Sequence, residues 1–538
     1  MTNNADIIAR RLHQAGCRHA FGIPGGEVLT LMAALEDAGI QFHLVKHENT
    51  GGFMAEGTHH ADGAPGVLMA TVGPGVVNAI NTVTNAWQDQ VPLIFLTGCI
   101  DTADTHSFTH QVFDHKSVLA PITKASFTVA VGAVDVIVDK ALSIAMEGRP
   151  GPVHLDVPIS LAKMNFEGEP MPPTPRRAVM APASGAELDV ARAAIAKAER
   201  PLMIAGVDVL HHGAHAAVAN AVRQLNIPLL TTYKAKGVLA EDDPLALGGH
   251  GLSPKSFAII KPLIDAADVI ILAGYDPIEM RAEWIDPWPV VDGRPVVIDL
   301  TAVPNTHYVH QSTYAFVGDV GVGLAAITDG VRPRASWPNG EPATVRDALF
   351  AAFSKDEEWG PAAVIDAARA ALPRNGVVSV DTGAHRILLS QQWQSFGPRQ
   401  IIQSTALCTM GVALPLAIGH KLANPDVPVL AFTGDAGLEM ILGELATARD
   451  KKLALPVIVF VDEQLALIEL KQRYDEMANL GVEFGATDFA AVAYAMGGHG
   501  VTVSDRDGLT SAIESAFGAK TFTVIACPIG KRPYDGRF

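Results

Sequence analysis

Short apolar runs of strand length recur from one end of this chain to the other, each followed by a stretch of helix length rich in Ala and Leu. "AFGIP", "FHLVKH", "GVLMATV", "PLIFLTG" and "PVHLDVP" come first. "PLMIAG", "PLLTTY", "VIILAG" and "PVVIDL" follow, and a third series includes "GVVSVDTG", "PVLAFTGD" and "PVIVFVD". Runs of this kind are buried on both faces, and strands separated by helices pair in parallel. The rhythm breaks at the proline-rich residues 166–185 and again at 331–345. The pattern therefore predicts an α/β chain of three doubly wound parallel-sheet domains, 1–165, 186–330 and 346–538, joined by two linkers. A length of 538 residues is too great for one core.

Composition excludes several classes. Net charge is −17 with no long block of like charge, which argues against nucleic-acid or anionic-membrane partners. No apolar run approaches the ~18 residues of a membrane span. The start, "MTNNADIIARRLHQAGCRHAFG", lacks the apolar core of a secretion signal. Cys17, Cys99, Cys408 and Cys527 show no CxxC spacing. A soluble, cytoplasmic protein is expected.

The stretch "VLAFTGDAGLEMILGELATARDKKLALPVIVFVDEQ" raises a question of chemistry. Val429–Thr433 and Val457–Val461 read as buried strands. Leu438, Ile441, Leu442, Leu445 and Ala448 fall on one face of an intervening helix. A right-handed βαβ unit sends Asp435 and Asp462 out of the same carboxyl edge, beside a helix N-terminus that attracts anions. Two hard oxygen ligands there suit Mg²⁺ bridging to a diphosphate. On spacing alone, a helix cap and a turn-starting aspartate explain the pair equally well. Glu48, after "FHLV" and before Thr50-Gly51-Gly52, likewise reads by itself as an ordinary first-turn acid.

Taken together, "GDA…VD", "FHLVKHENTGGFMAEG", "IPGGEVL", "TVGPGVVNAI", "HQVFDH", "VDTGAHR" and "ALCTMGVALPLAIG" resemble, in order, the motifs of thiamine diphosphate enzymes. The resemblance covers essentially the whole chain and implies pyrimidine-binding, central and diphosphate-binding domains. It implies that Asp435, Asp462 and the carbonyl of Gln464 hold Mg²⁺. Gly434, Ala436, Gly437, Gly383, Ala384 and His385 would meet the diphosphate, and Gly25, Gly73 and Asn78 the pyrimidine end. Met410 would wedge between the cofactor rings, with Thr409 beside it. Glu48 would hydrogen-bond the aminopyrimidine, while Gln111 and the backbone near Gly26 would orient the acceptor. Leu467 and Ile468 would line the pocket, with Lys471 one turn on. Two positions depart from the family signature: Ala436 replaces a glycine and Asp462 an asparagine.

"LGVEFGATDFAAVAYAMGG" and "ILAGYDPIEMRAEW" look most like the flavin-free, catabolic acetolactate synthases. Where flavin-dependent members carry their pattern, this chain reads "LGGHGLS" and "GYDPIEM", which argues against FAD. The implied reaction is decarboxylation of a 2-oxo acid, pyruvate foremost, with carboligation to a second carbonyl compound. The implied assembly is a homodimer or homotetramer with sites at subunit interfaces. Alternatives are a non-ligating decarboxylase, an acyl-CoA-using lyase and a cofactor-binding protein without turnover. The first usually carries paired histidines, whereas His106, His110 and His115 are isolated in sequence. His211, His212 and His215 are expected on solvated surface, Asp299 in a structural role, and "GKRPYDGRF" as a solvated tail.

Overall fold

The computed structural model describes residues 2–538 apart from 102, 106, 173–178, 278, 279, 289, 290, 305–309 and 334. His106, two residues of "GYDPIEM" and parts of both expected linkers lie outside the described residues. Among those described, three six-stranded parallel sheets form. The first holds β1 (His19–Ile23), β2 (Gln41–Leu44), β3 (Gly66–Ala70), β4 (Leu93–Cys99), β5 (Ala125–Thr128) and β6 (Pro152–Pro158), in the order β2-β1-β3-β4-β6-β5. The second holds β7 (Pro201–Ala205), β8 (Leu229–Thr232), β9 (Ala246–His250), β10 (Val269–Ala273), β11 (Val296–Thr301) and β12 (Tyr314–Val317), in the order β12-β11-β10-β7-β8-β9. The third holds β13 (Val377–Val380), β14 (Ile401–Gln403), β15 (Val429–Gly434), β16 (Pro456–Val461), β17 (His499–Thr502) and β18 (Thr523–Pro528). Its order, β14-β13-β15-β16-β18-β17, repeats that of the first sheet.

Burial explains the unbroken apolar runs. Along β3, Val67 and Met69 enter one core while Leu68 and Ala70 enter another. Along β16, Val457 and Val459 face one core, Ile458 and Phe460 a second. Each sheet is thus covered on both sides, and its central strands are mostly apolar because neither face meets water. One core is common to the first and third sheets: Phe53, Met54 and Leu68 share it with Leu416, Ala417, Val429 and Val457. Its centre is the contact between the helices Glu48–Asp62 and Ala413–Ala423. A Cβ on Gly419 would lie 1.9 Å from the Met54 carbonyl oxygen, and one on Gly57 2.3 Å from that of Leu416. Only glycines let these two helices approach so closely.

Three local expectations change. The apolar face from Leu438 to Ala448 is largely buried, but it is divided between two short helices, Asp435–Glu439 and Glu444–Asp450, and the turn 440–443 that joins them, where Gly443 lies against Lys46. Residues 341–345, read as linker, are the first turn of the helix Glu341–Ala352. The strands missing from the sequence reading, β5, β9, β12, β14 and β17, lie at sheet edges, where one neighbour is lacking and the apolar signal weakens; β18 lies inside the third sheet.

Candidate active site

Because the strands are parallel, every loop at the carboxyl edge of a sheet gathers on one side. In the first sheet, Gly25 and Gly26 follow β1, Glu48 follows β2, Gly73 follows β3 and Gln111 follows β4. Glu48 is the first residue of its helix, after the N-cap His47, whose ring accepts the Asn49 N–H. Gly51 and Gly52 press that helix close to its neighbours; a Cβ on Gly52 would lie 2.3 Å from the Thr82 side chain. Glu48 is therefore buried, and the Asn78 amide donates to its Oε2 at 3.0 Å. Oε1 faces Gly75, where an added Cβ would come to 3.3 Å. Gly25 abuts Thr71, while Gly26 has open space around its missing side chain.

At the carboxyl edge of the third sheet, Gly383, Ala384 and His385 follow β13, Thr409 and Met410 follow β14, Asp435 follows β15 and Asp462 follows β16. Asp435 is held by three backbone amides: Ala436 donates to Oδ1 at 2.8 Å, and Asp462 and Glu463 to Oδ2 at 3.0 and 2.8 Å. Asp462 Oδ1 accepts from the Gln464 amide at 3.3 Å. Glu463 between them has φ 57°, a left-handed turn. The structure thus brings Asp435, Asp462 and Gln464 together. Burial pushes both aspartates up, and the Asp435 charge helps push Asp462 to about 8. Two buried carboxyl groups that resist ionising beside each other are what a divalent cation would discharge.

The residues present also fit a diphosphate. His385 is buried, stacks on Phe460 at 5.2 Å, and leaves Nε2 without a partner next to Gly434. Burial and the adjacent Arg386 push its pKa down to about 3. An anion oxygen would give that nitrogen a partner. At Gly437 a Cβ would sit 2.5 Å from Asp381 Oδ2 and 2.9 Å from Thr433 Oγ1, so the backbone lies open only with glycine.

Several contributors escaped the sequence reading. Asp381, within the quoted "VDTGAHR", accepts from the amides of Gly411 at 2.9 Å and Val412 at 3.3 Å and from the Thr433 hydroxyl at 2.9 Å. It thereby anchors the loop carrying Thr409 and Met410; its place at a strand end was the available signal. Burial raises Asp381 to about 6 against those hydrogen bonds. Glu444 ties the two edges together, accepting from the Lys46 amide at 2.9 Å and from the Thr50 hydroxyl. Asn81 bridges Asn49 and Thr409 at 3.1 and 3.2 Å. Among the described residues no hydrogen bond or ion pair links Glu48 to the aspartate pair.

The terminal segment is docked rather than solvated. Tyr534 is buried in the third domain's outer core, and Asp535 pairs with Arg473 at 2.6 Å. The phenol is pushed up by burial and, to a smaller extent, by the Asp462, Asp435 and Glu357 charges. Of the 211–215 histidines, His215 is exposed as expected, whereas His211 bonds Asp208 at 3.4 Å and His212 accepts the Val320 amide at 3.0 Å. Asp299 is buried in β11 and bonded to His310 at 3.1 Å. Leu467 packs on the outer core, whereas Ile468 and Lys471 are exposed. A cleft lined by Arg11, His59, Asp139, His211 and Arg399 holds none of the expected site residues. No helix among the described residues is long and apolar enough to cross a membrane.

Residues 2–118 match the thiamine pyrophosphate enzyme N-terminal TPP binding domain, 188–327 the central domain and 381–527 the C-terminal TPP binding domain. The chain is 30% identical over 503 residues to the acetolactate synthase isozyme 1 large subunit of Escherichia coli (strain K12), covering 92% of this chain and 88% of that protein. It is 28% identical over 540 residues to an acetolactate synthase of Bacillus subtilis (strain 168), covering 98% and 93%. It is 28% identical over 541 residues to a catabolic acetolactate synthase of Raoultella terrigena, covering 98% and 95%.

Proposed function

We propose, for a chain that belongs to the thiamine pyrophosphate enzyme family and is an acetolactate synthase-like enzyme, that it joins the product of pyruvate decarboxylation to a second 2-oxo acid. Bound thiamine diphosphate supplies the nucleophilic carbon and the electron sink for loss of CO₂. Asp435, Asp462 and the Gln464 carbonyl hold Mg²⁺. The amides at Ala436 and Gly437, with His385, receive the diphosphate. Glu48, its Oε2 fixed by Asn78, presents Oε1 to hold the proton shared with the pyrimidine ring. Met410, braced through Asp381, supplies the apolar wedge. Gln111 orients the acceptor.

The observation that carries this reading is Glu48: a buried carboxylate with one oxygen satisfied by an amide and the other against a glycine. Following the family resemblance, we read the site as completed between two copies, residues 1–165 of one meeting 346–538 of the other.

The test is pyruvate consumption by purified protein with thiamine diphosphate and Mg²⁺, without FAD, acetolactate and acetaldehyde being assayed separately. Acetolactate as the main product supports the proposal. Acetaldehyde alone makes the protein a decarboxylase, and untouched pyruvate rules out pyruvate as donor.

A further inference from the structure

Beneath the Gly73 turn lies a buried cluster with no part in the chemistry above. His115, His154 and Asp156 place their ligand atoms within 4.8 Å of one another. Thr97 and Ser126 complete it, and His154 and Thr97 are fully buried. The direction of each hydrogen bond follows by elimination. The Gly73 amide can only donate, so His115 Nε2 accepts from it at 3.3 Å. His115 Nδ1 then carries the proton and donates to Asp156 Oδ1 at 2.8 Å. The Thr97 hydroxyl also donates to Asp156 Oδ1, at 2.5 Å, which leaves its oxygen to accept from His154 Nε2 at 2.7 Å. His154 Nδ1 in turn accepts from the Ser126 hydroxyl at 2.7 Å. Every ring nitrogen is committed, so no lone pair remains for a metal ion.

What this chain holds is informative. Gly73 has φ +74°, and a Cβ on it would lie 2.5 Å from the Gln111 carbonyl oxygen and 2.8 Å from its Cβ. Gln111, a non-glycine residue, is itself left-handed at φ 61°. Such a conformation persists only when its surroundings over-determine it. One end of the segment 111–115 rests on Gly73 by contact; the other is bonded to the same residue through His115. Four residues beyond the turn's proline, Asn78 grips Glu48.

We propose that His115 is a positioning residue for carboligation, clamping the Gln111 segment onto the Gly73 turn through a hydrogen-bond chain rooted in Asp156. This rests on the reading of Gln111 as the group that orients the acceptor. The clamp needs an acceptor beneath the Gly73 amide and a donor toward Asp156, and the one His115 ring supplies both.

The experiment uses the holoenzyme with thiamine diphosphate and Mg²⁺ in three variants. His115→Phe keeps the ring's volume without its bonds. His115→Gln offers an acceptor and a donor of similar reach. Gln111→Ala removes the side chain being positioned. The measurements are deuterium uptake in peptides spanning 66–80 and 107–118 and the ratio of ligated product to released aldehyde. His115→Phe is expected to speed exchange in both peptides and to lower the ratio about tenfold, as loss of a near-attack geometry does, with cofactor affinity retained. His115→Gln should recover most of the ratio. Gln111→Ala should lower the ratio without the faster exchange. Unchanged exchange and ratio in His115→Phe overturn the proposal, as does a folded His115→Gln variant whose ratio is not restored toward wild type, which decides the matter even if the Phe variant fails to fold. Faster exchange with a ratio indifferent to Gln111→Ala overturns instead the reading of Gln111.

Discussion

The first and third sheets run their strands in the same order, yet their carboxyl edges set their acids in different surroundings. At the first edge Glu48 has for its nearest company the Asn78 amide and Gly75. The third sets Asp435 and Asp462 together, burial raising both and the Asp435 charge raising Asp462 further, with three backbone amides aimed at Asp435. Topology places the loops; it does not say what they carry. A lone carboxyl group beside an amide suits holding and passing a proton, whereas a like-charged pair suits a cation.

The contrast can be broken most severely at Glu48. Glu48→Gln keeps an oxygen for the Asn78 amide but loses the transferable proton. Turnover should fall by a factor on the order of 10²–10⁴ with cofactor binding largely retained, checked by product assay beside cofactor titration. Next come the two edges' glycines. Gly437→Ala forces a Cβ to 2.5 Å from Asp381, while Gly26→Ala meets nothing within 4 Å. The first should lose about 1–3 kcal/mol of stability along with cofactor affinity and the second almost none, as read by urea unfolding.

A pH series separates the sheets further. His43 on β2 and His385 after β13 are both pushed by burial to about 3. Each is neutral in the fold and binds a proton more readily when unfolded. Their stability contribution is complete above about pH 6.5 and is lost as pH falls toward 3, by up to ~1.4 kcal/mol per pH unit for each. Thiamine diphosphate with Mg²⁺ should flatten the slope belonging to His385 and leave that of His43. Melting temperatures at pH 7 and 5, with and without cofactor, for wild type and His385→Asn would show it. The smallest effect is expected between the edges: Asn81→Ala removes the bonds to Asn49 and Thr409 and should cost about 1 kcal/mol in denaturant unfolding.

Much of this was legible before any coordinates. The runs "GVLMATV" and "PVIVFVD" predict buried strands because both of their faces enter cores. β5 and β12 were missed because edge strands alternate weakly: "ASFT" and "YAFV" are half exposed. Asp435 and Asp462 could be paired from the βαβ rule, since one unit connects them. The His115 chain could not. Its members come from β4, β5, β6 and the segment after β4, and no sequence spacing encodes which side chains of four separate elements converge. Tyr534 was misjudged for a related reason: a polar, charged segment reads as solvated until the pocket that receives its ring is known.

The close approach of Gly57 and Gly419 also dictates the order of events when the chain folds. The helix Glu48–Asp62 is made early, but the helix that covers it follows the whole central sheet in sequence. Until synthesis passes Gly419, the Phe53 and Met54 face has nothing to bury itself against, while the central sheet can close around its own two cores. Joining sequence-distant helices is slow and leaves apolar surface open to aggregation in the interval. This chain should therefore acquire its middle domain first and its outer two together, as one late cooperative step.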